Sequence, residues 1–153
     1  MGAEARLAEL KLELPPLPKP GGVYKPVVQM GNLLYFSGHG PLRGDKTYIT
    51  GKVGSEMTQE QAKEAARVTG LTILASVRDF LGSLDRIVRT VKLLGMVNAV
   101  PDFQNHPAVI NGCSELFQEI FGDDGIGVRS AVGMGSLPGN IPVEIEGVFE
   151  IRD

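Results

Sequence analysis

Gly127-Val128-Arg129-Ser130-Ala131-Val132-Gly133-Met134-Gly135, followed by Leu137-Pro138-Gly139-Asn140 and by Pro142 to Ile151, is the stretch on which the fold turns. The first run alternates, with Val128, Val132 and Met134 on one face and Arg129, Ala131, Gly133 and Gly135 on the other. The last run alternates as well, Val143, Ile145, Phe149 and Ile151 against Glu144, Glu146 and Glu150. Such period-two patterning marks strands with one buried face. Pro138 presets one φ and Gly139 supplies a positive one, so the residues between read as a turn. Antiparallel pairing across that turn predicts that Arg129, Ala131 and Gly133 share a face with Glu144 and Glu146, the valines and isoleucines lying on the core side.

Working back along the chain, Pro107 to Phe121 predicts a helix presenting Val109 or Ile110, Cys113, Leu116, Phe117 and Ile120, with Gly122 as its stop. Ile87 to Val97 is β-branched and reads as a strand. Thr58-Gln59-Glu60-Gln61 has the form of a capping box, and Ala62, Ala65, Ala66, Thr69, Ile73, Val77 and Phe80 follow at helical spacing as far as Leu81 and the stop at Gly82. Tyr24 to Met30 and Leu33 to Ser37 flank Gly31-Asn32 as a hairpin, and a short strand is expected around Tyr48 to Val53. The order ββ-β-α-β-α-ββ predicts a single α+β domain, a mixed sheet with two helices packed on one face. The domain is taken as residues 23–153. Residues 1–22 form an N-terminal arm, a short helical stretch from Ala3 to Leu12 leading into the stiff connector Pro15 to Gly22.

The composition narrows the function. Fifteen basic residues against eighteen acidic leave a net charge of −3, and aromatics are only 6% with no tryptophan, which disfavours nucleic-acid and membrane partners. One cysteine, Cys113, cannot make an internal disulfide, and no Cys/His cluster has zinc spacing, so neither metal nor cofactor is expected. The charged residues among Met1 to Leu14 rule out an export signal there, and the chain is expected to be cytoplasmic.

On the last hairpin, an arginine followed by Ala, Gly and Gly predicts open space above the sheet with a carboxylate across it. Two readings stand at this point. Arg129 and Glu144 form a solvated cross-strand pair, or they hold a small carboxylate ligand and a water. Cys113 reads as a small buried hydrophobe, His39 as a hydrogen-bonding or exposed loop side chain, His106 as part of the second helix's entry, and Asp123-Asp124 as a solvated turn.

Arg129 to Pro138 with Val143-Glu144-Ile145-Glu146, together with Gly31-Asn32-Leu33-Leu34-Tyr35-Phe36-Ser37-Gly38 and the helical Asn111, resembles the Rid/YjgF family of reactive-intermediate deaminases from Tyr24 to Ile151. The resemblance implies a chorismate-mutase-like fold, a homotrimer with clefts between subunits, and hydrolysis of enamines and imines such as 2-aminoacrylate to 2-keto acids and ammonia. It implies that Arg129 holds the substrate carboxylate and Glu144 positions water. It further implies that Gly38 and Ala131 offer backbone hydrogen bonds, that Tyr24 and Ser37 line a wall, and that Asn111 arrives from a neighbouring subunit. A binding trimer without turnover, or an endoribonuclease, are the alternatives. The chain departs from the family pattern at Ala131, where cysteine is common, at Gly133 for glutamate, at His39 for glutamine, and in an expanded Pro101 to Pro107, where Phe103 is the candidate for the family's aromatic. Gly133 is expected to widen the pocket.

Overall fold

The computed structural model describes all residues, 1–153. Helix α1 (Ala3–Glu9) precedes the hairpin β1 (Val27–Met30) and β2 (Leu33–His39); α2 (Gln59–Leu81), β3 (Ile87–Asn98), α3 (His106–Phe121), β4 (Val128–Met134) and β5 (Val143–Ile151) follow. The strands form one mixed sheet in the order β1-β2-β5-β3-β4. Both long helices pack on the same face of it, as the patterning predicts.

Local chemistry explains the elements. At the start of α2 the Thr58 hydroxyl accepts from the Gln61 amide N–H while the Gln61 side chain accepts from the Thr58 N–H, the reciprocal pair of a capping box. Gly82 ends the helix at φ +85°, a left-handed conformation that costs glycine little. The β1–β2 hairpin forms with Met30 opposite Leu33, and Gly31 turns it at φ +62°. Leu34, Phe36, Leu93, Val97, Ile145 and Phe149 then meet Ile73, Val77, Ile110, Leu116 and Phe117 in a single core. Cys113 is fully buried there, and burial pushes its thiol up, so the small-hydrophobe reading holds.

Two expectations are corrected. The segment around Tyr48 to Val53 is not a strand; it makes only isolated bridges, Leu42 with Tyr48 and Val53 with Met57 and Ala99. More consequentially, β4 and β5 do not pair. β3, twelve residues long, lies between them, parallel to β4 and antiparallel to β5. Its two edges are filled because α3 is a crossover connection that returns the chain parallel to β3 on one side, leaving the other edge for β5. The Pro138–Asn140 turn forms, with Gly139 at φ +63° and Asn140 at +58°, but it leads past β3 rather than closing a hairpin.

The facing of β4 is reversed as well. Arg129 shares a row with Leu93 and Gly147, and Ala131 with Gly95 and Ile145, both on the helix-covered side. Val128 and Val132 lie on the open side, Val128 at 69% exposure. The small residues do not leave a void, because α3 fills it. Ile110 presses on Gly95, and a Cβ at Gly133 would stand 2.5 Å from His106 Nε2. The expected widening at Gly133 is therefore absent: the glycine lets the entry of α3 close onto the strand.

The arm packs on the body. Ala3 and Leu7 join the core, the Glu4 carboxylate accepts from the Leu84 N–H at 2.8 Å, and Arg6 Nε donates to the Glu119 carbonyl at 2.8 Å.

Candidate functional site

The largest cleft, about 720 Å³, opens beside the C-terminal end of β2. β2 pairs Phe36 with Gly147 and His39 with Ile145, so Ser37 and Gly38 together face Glu146 as a bulge. Bulges re-aim side chains and bare backbone, and this one carries two of the predicted site residues to the cleft. The Ser37 hydroxyl is spent locally, donating to the Lys25 carbonyl at 2.6 Å. Gly38 lies against Glu144: any Cβ there would collide with the Glu144 carboxylate. The glycine is required by that approach.

Glu144 itself points to the open side of the sheet from β5, in a row with Met96 and Val132. Its carboxyl is held above the usual carboxylate range, mainly by partial burial and secondly by the nearby Glu146. The shift makes it a better proton acceptor than a free carboxylate. Tyr24 lies between the connector and β1, its hydroxyl accepting from the Gly21 N–H at 3.2 Å, and Tyr48 stands beside Gly40; Lys19 and Gly21 reach the same cleft from the connector itself. Burial raises the Tyr48 phenol, with Tyr24 adding to the effect. Lys19 is the one basic side chain lining this cleft. Sequence reasoning missed Tyr48 and Lys19, since neither lies in a motif; only the path of the connector and of the loop after β2 brings them here.

Arg129, Ala131 and Asn111 are elsewhere. Arg129 lies across α3, with Nη1 donating to Ser114 Oγ at 3.0 Å and Nη2 to the Pro107 carbonyl at 3.4 Å. Pro107, Asn111 and Ser114 recur at i, i+4 and i+7 on the helix, so Asn111 belongs to the same edge as the guanidinium. Ala131 packs beside them against the core. Within one chain, then, the residues expected to form one site divide in two. Tyr24, Ser37, Gly38 and Glu144 line the cleft; Arg129, Ala131 and Asn111 occupy the opposite side of the sheet. Phe103 packs edge-on against His106, ring centroids 5.1 Å apart, beside that second group. No group of His, Cys, Asp or Glu side chains is arranged to hold a metal ion.

No helix is long and apolar enough to cross a membrane. Residues 4–142 match the family described as "YjgF/chorismate mutase-like, putative endoribonuclease". Protein TCP17 of Trypanosoma cruzi is 34% identical over 97% of this chain and 94% of its own. A 2-iminobutanoate/2-iminopropanoate deaminase of Dermatophagoides farinae is 29% identical over 92% and 95% of the two chains. Among solved structures, a protein of unknown function from Agrobacterium tumefaciens is 42% identical, with a TM-score of 0.88 over 98% of this chain and 94% of that one.

Proposed function

The chain belongs to the YjgF/chorismate mutase-like family, and from that premise we propose that it hydrolyses small 2-imino acids to 2-keto acids and ammonia in a site shared between subunits of a homotrimer. The observation that carries this reading is the division of the site residues. The cleft contains Glu144 and Glu146 and only one cation, the exposed Lys19. Left alone it is a poor host for a carboxylate substrate. The bidentate cation, Arg129, stands on another surface, with three of its five N–H donors free of protein partners.

Bringing the α3–β4 edge of one copy to the cleft of the next would complete the arrangement. Arg129 of one subunit would hold the substrate carboxylate, with Asn111 beside it, and Glu144 of the other would receive a proton from the attacking water. The C–O bond forms as the C=N electron pair moves to nitrogen. The proton then passes from Glu144 to that nitrogen, the C–N bond breaks as the hydroxyl gives its remaining proton back to the Glu144 carboxylate and becomes the carbonyl, and ammonia leaves, taking up that proton as ammonium. A protonated imine is already electrophilic, so placement and charge suffice for the step. Val128, Val132, Val28 and Tyr35, all exposed on the open side of the sheet, are the apolar surface that such an assembly would cover. A phosphodiester backbone is a worse fit than an imino acid, because the cleft carries two carboxylates and the chain a net charge of −3.

The test is ammonia release from freshly generated 2-iminopropanoate. Arg129→Ala and Glu144→Gln each should lose on the order of 10²-fold or more in kcat/KM. Co-expressing the two variants should restore about one quarter of wild-type activity, because random assortment rebuilds an intact site at that frequency when its halves come from different copies. Wild-type protein with no rate above buffer across several imines would overturn the activity, and an active pair that fails to complement would overturn the sharing.

A further inference from the structure

Behind the bulge that forms the cleft floor lies a buried imidazole. His39 is 5% exposed, and both ring nitrogens are engaged: Nδ1 lies 2.6 Å from the Ser37 carbonyl oxygen and Nε2 2.8 Å from Ser76 Oγ on α2. A carbonyl can only accept, so Nδ1 carries the proton. Nε2 then accepts from the Ser76 hydroxyl. Burial lowers the ring's basicity, which keeps it neutral and preserves this tautomer. One turn earlier on α2, Thr72 Oγ1 accepts from the Leu42 N–H at 3.3 Å, so buried hydroxyls of the helix fasten the chain as it leaves β2. A trans peptide directs its C=O and N–H to opposite sides. Holding the Ser37 carbonyl toward His39 therefore fixes the plane of the Ser37–Gly38 peptide, and the Gly38 end of that peptide lies directly against the Glu144 carboxylate.

From this geometry we infer that His39 is a positioning residue for the hydrolytic site: together with Ser76 it sets the orientation of the Ser37–Gly38 peptide and, through it, the place of the Glu144 carboxylate. The role deepens the imine-hydrolase reading and rests on it for its kinetic consequence. His39 touches no substrate. Its ring is sealed behind the bulge, edge-on to Phe36 at a centroid distance of 6.4 Å. The charged and titratable groups around the carboxylate it places are Glu146 on the same strand and Lys19, Tyr24 and Tyr48 around the cleft.

The experiment compares His39→Gln, which keeps a donor and an acceptor, His39→Leu, which keeps the bulk alone, and Ser76→Ala, which removes only the Nε2 partner. Each is assayed for imine hydrolysis across pH, and the Glu144 carboxyl is titrated by ¹³C NMR, its signal identified with Glu144→Gln. We expect His39→Leu to lose on the order of 10²-fold in kcat with KM changed far less, since a displacement of about 1 Å is enough for that. Ser76→Ala should show a smaller loss, and His39→Gln should recover most of the rate. The Glu144 titration in the leucine variant should move down toward the ordinary carboxylate range and return in the glutamine variant. If His39→Leu does not fold, Ser76→Ala against wild type carries the same comparison. An unmoved Glu144 titration in the folded variants overturns the positioning role. A wild-type protein inactive on every imine, with the titration still moving as described, overturns the functional reading and leaves the positioning of Glu144 standing.

Discussion

The cleft beside β2 and the surface of β3 and β4 under α3 use glycine for opposite purposes. At Gly38 the missing side chain admits a functional group, the Glu144 carboxylate, to the backbone of a bulge. At Gly95 and Gly133 it admits a helix: Ile110 and His106 of α3 occupy the room that a Cβ would need. Polar Ser37 and His39 flank the first, and apolar residues flank the other two. One makes a place for chemistry and the other makes a place for packing, and the consequence is that Arg129, on the helix-covered side of β4, is braced by Ser114 and the Pro107 carbonyl rather than standing over open sheet.

The sharpest way to break this contrast acts on the surface that would join the two regions. Val132→Asp places a charge on the open side of the sheet, in the row that contains Met96 and Glu144. The folded protomer should survive, since Val132 is 37% exposed. Sedimentation should show assembly weakened on the order of 10²-fold, the scale of about 2–3 kcal/mol for an unpaired charge in an apolar contact. Activity should fall with the assembled fraction, and a monomer as active as wild type would refute the shared site.

Next in size is the pair of glycines. Gly38→Ala should cost on the order of 10-fold to 10²-fold in kcat, because Glu144 must swing away, while thermal stability changes little. Gly133→Ala should show the opposite: a stability loss of about 1–3 kcal/mol by urea titration as His106 is pushed off the strand, with kcat less affected. If both variants lose the same property, the two regions are not functionally distinct.

The smallest effect is electrostatic. Because burial lowers the His39 pKa below the ordinary imidazole value of 6.5, the unfolded chain binds the proton more readily. The stability this contributes is complete above about pH 6.5 and declines as pH falls toward the folded-state value. Urea midpoints should therefore drop over that window in wild type and drop less in His39→Gln. Equal slopes would show that His39 is not held neutral by its site.

Much of this molecule is legible from neighbouring residues alone. The capping box at Thr58, the stops at Gly82 and Gly122, the Gly31-Asn32 hairpin, the buried face of α3 and the burial of Cys113 each follow from periodicity or from one residue's backbone preference. The facing of Glu144 was legible too, because Val143, Ile145, Phe149 and Ile151 leave no doubt which side of β5 is apolar. His39 was legible as a hydrogen-bonding residue, but its partner Ser76 lies thirty-seven positions away on a helix, and no local pattern links them.

What only the tertiary structure decided is which strand lies beside which, and hence where the cation of the site stands. Alternation along β4 is equally compatible with either face being covered. The turn at Pro138–Asn140 suits a hairpin as well as a passage over another strand. The choice was made by β3, whose length offers both edges to the sheet, and by α3, whose bulk converts Ala131 and Gly133 from a presumed hollow into a bed. Chain-local preferences act over a few residues and are written in composition and spacing. Pairing and facing are settled by the total apolar area that can be buried at once, a quantity that belongs to the whole fold and to no single stretch of it.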